Sequence, residues 1–122
     1  MKTATATATV EALLIAHCPR TPGVLTFPAT MGTEPVVVGF AFPESSKTLG
    51  LYGNDAPVAF QYLNADGTPK GEPLMVGTAY AFSRGFWFRD NTTNTNSMHP
   101  TPRRVAVAML ERATGLSVVP QF

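Results

Sequence analysis

Residues 34–42 read EPVVVGFAF, from Glu34 to Phe42. β-branched and aromatic side chains fit a pleated, half-buried surface, so this run reads as a strand. Alternation then sets Val36, Val38, Phe40 and Phe42 on one face. Gly39 stands inside the run, and a strand glycine marks a bulge or a close approach of another part of the chain. So apolar a strand needs neighbours, and the surrounding sequence supplies candidates.

Eleven prolines and ten glycines punctuate the chain at short intervals. Between them lie runs rich in Val, Phe, Thr and Leu, the pattern of an all-β domain. On the N-terminal side, Gly23 to Ala29 (GVLTFPA) is a candidate strand. On the C-terminal side, Thr48 to Tyr52 (TLGLY) is followed by a Gly53-Asn54-Asp55 turn. Pro57 to Leu63 (PVAFQYL) alternates, with Val58, Phe60 and Tyr62 on one side. Residues 64–71 (NADGTPKG) form a hairpin connection, because Asp66-Gly67 supplies the positive φ such turns need. Leu74 to Phe82, a Ser83-Arg84-Gly85 turn and Phe86 to Arg89 continue the series.

Three segments fall outside this core. Thr3, Thr5, Thr7 and Thr9 alternate with Ala4, Ala6, Ala8 and Val10, so residues 1–10 read as an extended arm that pairs with another chain, with an ordinary edge strand or a disordered tail as the alternatives. Residues 90–102 (DNTTNTNSMHPTP) have almost no apolar side chains and read as one long polar loop. Residues 101–115 (TPRRVAVAMLERATG) admit two readings. As a helix, Thr101 caps it, Pro102 opens it and Gly115 stops it. As a strand, Val105, Val107 and Met109 alternate with Ala106, Ala108 and Leu110. The β-branched content and the following LSVV (Leu116 to Val119) favour the strand. The expected fold is therefore all-β: a single domain over 1–122, built as a small sandwich or barrel. A jelly roll is among the arrangements, with the arm at one end and a short C-terminal helix as the alternative for 101–115.

Composition narrows the function. The chain has 122 residues, a charged fraction of 14% and a formal net charge of +1. That charged share is about half the usual one, and such chains often hide neutral surface in an assembly. The near-neutral balance gives no field to draw in nucleic acid or an acidic membrane. No run approaches the roughly 18 apolar residues of a membrane span, and the N-terminus lacks the layout of a signal peptide. Cys18 is the only cysteine, which leaves no intrachain disulfide and reads as a small buried hydrophobe.

The aromatic stretch YAFSRGFWFRD (Tyr80 to Asp90) raises the question of RNA. Arg84, Gly85, Phe86 and Phe88 fit the RNA-reading strand of an RRM domain. Trp87 stands where a small residue belongs, Arg89 where a Val is expected and Asn91 where the last aromatic belongs. An RRM also needs two helices across its sheet, and this reading offers at most one. A single-strand binder of OB type needs aromatics along a basic groove, but nine Lys and Arg against eight acids are dispersed, with Arg103-Arg104 the one doublet. A hairpin that lets Tyr80 and Phe82 meet Phe86 and Phe88 explains the aromatics better. Trp87, flanked by Arg84 and Arg89, is then a candidate protein-contact residue.

Catalysis and metal binding find little footing. The two histidines, His17 and His99, are far apart, and a Cys18 nucleophile would need His99 and a carboxylate such as Asp55 or Asp90 from distant segments. Two His, one Cys and scattered acids make no metal-ligand pattern, and no phosphate or dinucleotide loop is present. The expectation is a non-enzymatic protein with no cofactor and no metal. Its candidate interface is Thr3, Thr5, Thr7, Thr9, Arg84, Trp87 and Arg89.

Two stretches carry a resemblance. EPVVVGFAF (Glu34 to Phe42) resembles the early strand of small tailed-phage head decoration proteins, in which a Pro-Val-Val-Val-Gly segment follows a Gly-rich turn. RRVAVAMLERATGLSVV (Arg103 to Val119) resembles their closing segment, a Val-Ala-rich strand, a turn and a final strand. The middle of the chain has no counterpart in that pattern. The resemblance implies a capsid decoration, or cement, subunit on the virion surface, assembled in a host cytoplasm. Its partners would be the major capsid protein and like copies of itself, in a trimer or another symmetric cluster that bridges shell subunits. The alternative reading is a β-rich binding module that uses the aromatic hairpin for single-stranded nucleic acid or carbohydrate.

Overall fold

The computed structural model describes residues 3–17, 23–42, 55–81, 88–90, 98–99 and 101–121. In chain order the elements are α1 (Thr3–His17), β1 (Gly23–Met31), β2 (Glu34–Phe42), β3 (Asp55–Tyr62), β4 (Leu74–Ala81), β5 (Phe88–Asp90), β6 (Met98–His99), α2 (Pro102–Thr114) and β7 (Val118–Pro120). The described strands form one sheet in the order β6-β5-β4-β3-β2-β1-β7. Every pairing in it is antiparallel.

Strand β2 lies inside this sheet, and Val36 through Ala41 are all buried. That burial explains a run apolar on both faces: a strand covered on one side only alternates with polar residues. Val36, Val38 and Phe40 join Phe27, Ala29, Met31, Val58 and Phe60 on one face, where α2 covers them with Val105, Ala106, Met109 and Leu110. Val37 and Ala41 join Ala59 and Leu63 on the other face, beneath Ala6, Val10 and Leu14 of α1. The molecule is thus a β-rich sheet with a helix on each face. The all-β expectation is corrected: among the described residues there is one sheet, and helices occupy the layers that the second sheet of a sandwich would fill.

The extended arm is the first correction in detail. Residues 3–17 are one helix. Ala6, Val10 and Leu14 recur every fourth residue and are fully buried, the spacing of a helix face. Threonine disfavours a helix by only about 0.7 kcal/mol at most per residue, and burying Val10 and Leu14 returns about 1.5–3 kcal/mol each. Helix α2 is the second correction, since Val105, Ala106, Met109 and Leu110 share its buried side. Its ends follow the helix reading of 101–115. Thr101, extended at φ −133 and ψ 149, accepts the Arg104 N–H at 3.3 Å, and Gly115 closes the helix at φ 72. The expectation of at most one helix falls with these two.

Other expectations held or moved. The strands over 23–29, 34–42, 57–63 and 74–82 appear with similar bounds. The 64–71 hairpin does too, with Gly67 at φ 89 and the Asp66 carboxylate taking the Thr68 N–H at 3.0 Å. Within 90–102, β6 pairs with β5, so the stretch is not one uninterrupted loop. In the aromatic hairpin, Tyr80 stands opposite Arg89 and Ala81 opposite Phe88, so Tyr80 and Phe88 are not directly across from each other. The 48–52 strand, Cys18, Arg84 and Trp87 lie outside the described residues.

Candidate functional site

The two outer strands on the β1 side, β1 and β7, set up the candidate site. Hydrogen bonds fix which backbone groups face where. Gly32 N donates to Ser117 O at 2.8 Å and Gln121 N donates to Pro28 O at 2.8 Å. Residues 28, 30 and 32 therefore turn their backbone groups toward β7, and by alternation Val24 and Thr26 turn theirs the same way. But β7 pairs only with Ala29, Thr30 and Met31. Beyond Pro28, the outward N–H and C=O of Val24 and Thr26 have no partner strand among the described residues.

Strand β7 is finished differently. Its outward N–H at Val118 is held by the Glu111 carboxylate at 3.2 Å, and its other outward position is Pro120, which has no N–H. Gly115, folded back so that its N–H reaches Glu111 O at 2.9 Å, carries the chain from α2 into β7. Gln121 ties the end of the strand down through Thr30 Oγ1 at 2.8 Å. Among the described residues, nothing comparable closes the Val24–Thr26 part of β1. GVLTFPATM carries no charged residue, and its register with β2 runs without a shift from Gly23 to Met31. Edge strands normally carry Lys, Pro, a bulge or an inward charge to deter further pairing. Here only Pro28 serves, at the boundary of the open run. Its missing N–H faces outward, which is why a proline is tolerated in this strand.

The side chains of Val24, Leu25 and Thr26 are half-buried. Leu25 packs with the α2-side cluster; Val24 packs with the α1-side cluster. Val119, 56% exposed, and Leu116, 41% exposed, add apolar surface at β7 and the turn before it.

Of the expected interface residues, Thr3, Thr5, Thr7, Thr9 and Arg89 lie among the described ones. In α1, Thr5 is exposed, while Thr7 and Thr9 are half-buried. Successive alternate residues of a helix diverge by about 200°, so the threonines no longer share a face. Thr3 opens α1 and Arg89 lies in β5. Thr9 has an internal task. Its hydroxyl is 2.5 Å from Gln61 Oε1 and 2.8 Å from Ala6 O, and its single proton serves one acceptor at a time. Gln61, 1% exposed, donates from Nε2 to Gly71 O at 2.5 Å. This buried amide links α1, β3 and the end of the 64–71 hairpin. The RRM comparison also sharpens, since an RRM stacks bases on an open sheet face, whereas β2 is covered on both faces here.

The residues of the open edge went unread as a site. The available signal was a strand without charge that contains a proline away from its start, which points to an edge or a bulge. Among the described residues, no three His, Cys, Asp or Glu side chains group to hold a metal, and no helix is long and apolar enough to cross a membrane. No protein-family model matches the chain, and no curated protein or solved structure matches it.

Proposed function

We propose that the protein is a non-enzymatic assembly subunit that associates with protein through the outer edge of β1. The observation that carries this reading is the contrast at that edge. Among the described residues, Val24 and Thr26 present outward backbone groups with no partner strand, in an uncharged strand, beside a β7 whose outward N–H positions are taken up by Glu111 and Pro120. An extended segment added there gains main-chain hydrogen bonds and covers half-buried Val24, Leu25 and Thr26. The low charged fraction, 14%, suits a surface meant to be covered.

In its particular form the subunit decorates a viral capsid and bridges neighbouring shell subunits, each contact stabilising the lattice by mass action. This form rests on the resemblance of Glu34–Phe42 and of the closing strand. Residues 103–114 are helical where the resemblance implies a strand. The strand-adding element is not residues 3–10, which are helical.

Light scattering on a sizing column, at two protein concentrations, tests association for the wild type and for Thr26→Pro. The Thr26 N–H faces away from β2 and has no partner among the described residues, and Pro28 already occupies an equivalent outward position, so the variant keeps the β1–β2 ladder. The wild type is expected well above the 13.0 kDa of one chain, and Thr26→Pro at one chain. A wild type at one chain at both concentrations, or a Thr26→Pro that assembles like it, overturns the reading.

A further inference from the structure

We propose that the buried amide of Gln61 is a latch, through which α1 and the end of the 64–71 hairpin open and close as one unit. Among the described residues, Gln61 is the one buried polar side chain. It lies between Ala59 and Leu63 on the α1 face of β3. A backbone carbonyl only accepts, so the nitrogen of the amide faces Gly71 O and its oxygen faces the Thr9 hydroxyl. The Thr9 proton then goes to Gln61, because two oxygens 2.5 Å apart need a proton between them. The other acceptor within reach, Ala6 O at 2.8 Å, belongs to α1 itself. The hydroxyl therefore has two settings. With the hairpin end seated, it donates across to the sheet. With Gly71 withdrawn, the amide is no longer held in place, and the hydroxyl turns back to its own helix.

The ladder breaks where the latch closes. Leu63 bridges Pro69, and Phe60 stands opposite Leu74. From Pro69 to Leu74 the returning chain takes five steps where β3 takes three, from Leu63 to Phe60. Residues 71–73 lie in that surplus, and surplus residues disrupt a ladder locally. Gly71 sits there at φ 80, and a Cβ on it would meet nothing within 4 Å. Crowding therefore does not fix its carbonyl; backbone conformation and the Gln61 bond do. Opening strands neither partner, since Gly71 is exposed to water and Thr9 has Ala6 O. The cost falls on Gln61, because a buried amide that keeps only part of its bonding is unfavourable. Losing Gly71 thus weakens the hold on Thr9, and losing Thr9 weakens the hold on Gly71 by the same factor.

The test is native-state amide exchange on the whole chain, for the wild type, Gly71→Ala, Gln61→Leu and the two combined. Gly71→Ala strains residue 71 without crowding it, since alanine disfavours a left-handed φ. An opening of α1 that releases residue 71 sheds that strain. The Val10 and Leu14 amides of α1 are therefore expected to exchange about tenfold faster in Gly71→Ala. The Lys70 amide, bonded to Tyr62 O in the hairpin, is expected to gain a similar factor. In the Gln61→Leu background, Gly71→Ala is expected to quicken Lys70 alone. No gain at Val10 and Leu14 overturns the latch. A gain there that survives Gln61→Leu overturns it too, because the route would then run through Leu63, which shares the α1-side cluster, or through unfolding of the whole chain. Should Gln61→Leu not fold, Thr9→Val takes its place. It keeps the shape and removes the hydroxyl, and the same loss of the α1 response is expected; a response that persists overturns the proposal.

Discussion

Helices α1 and α2 lie on opposite faces of β2, and the two faces are built from residues of different size. Beneath α1 are Val37, Ala41, Ala59 and Leu63, with Gly39 between them. Beneath α2 are Phe27, Met31, Val38, Phe40 and Phe60. A small-residue face lets a helix approach until its side chains meet the strand backbone. A methyl carbon built on Gly39 would lie 2.4 Å from Val10 Cγ1 and 2.8 Å from Leu14 Cδ1. The other face keeps its helix at arm's length across a layer of large side chains, several of them adaptable. The difference teaches that one sheet can hold two helices by different means: α1 by close contact with a backbone that cannot move, α2 by interdigitation and by its caps.

Matched deletions test that difference most strongly. Leu14 and Leu110 are both fully buried leucines. Leu→Ala costs more where the surroundings cannot collapse into the void. Leu14 rests against Gly39, whose backbone is fixed on both sides by the ladder. Leu110 shares its cluster with Met31 and Met109, side chains that fill irregular gaps. Leu14→Ala should cost about 4 kcal/mol and Leu110→Ala about 3 kcal/mol, read from urea unfolding midpoints at a shared slope. The reverse order would mean that the α2 side is the rigid one.

A smaller effect comes from the opposite change on the α1 face. Gly39→Ala inserts one methyl where there is no room, and should destabilise by about 2 kcal/mol. The attribution to Val10 can be checked directly. Val10→Ala opens space beside residue 39, so the double variant should be less destabilised than the two single costs added together, by more than about 0.5 kcal/mol. Strict additivity would show that the strain goes elsewhere. The corresponding opening on the α2 face, Met109→Ala, should leave the cost of Gly39→Ala unchanged.

These contacts also explain what could be read in the sequence. The strands were legible because Val36 to Phe42, Pro57 to Leu63 and the Asp66-Gly67 turn follow local rules that tertiary packing did not override. The close approach at Gly39 was legible as a glycine in an apolar strand. What approached was not. The Thr/Ala alternation of residues 3–9 has the period of a strand, and it hides the four-residue spacing of Ala6, Val10 and Leu14. Because Ala6 is small, the spacing shows only once the sheet beneath is known. In 101–115 the caps spelled a helix, while Val105 and Val107 spelled a strand. β-propensity lost there because it mostly reports fit to a pleated, half-buried surface, and this segment lies on the sheet instead of inside it. The part of β1 that β7 leaves without a described partner strand was hidden for another reason: which strands stand at the end of a sheet is a property of order, and composition does not encode order. Pro28 hinted at it only through its missing N–H.

The smallest predicted effects come from one substitution made in both helices. Thr101 is the cap of α2, and its hydroxyl takes the Arg104 N–H that would otherwise lack a partner in the first turn. Thr101→Ala should therefore destabilise by about 1 kcal/mol. Thr5 is an exposed position inside α1, where alanine is the better helix former. Thr5→Ala should therefore stabilise by roughly 0.5 kcal/mol. Urea midpoints for the two variants should move in opposite directions from the wild type. Opposite signs would place the stability of α2 partly in its ends and that of α1 in its buried stripe. A loss at Thr5 as large as that at Thr101 would mean that the α1 threonines hold the helix through their hydroxyls, and that close packing at Gly39 is only part of what keeps it in place.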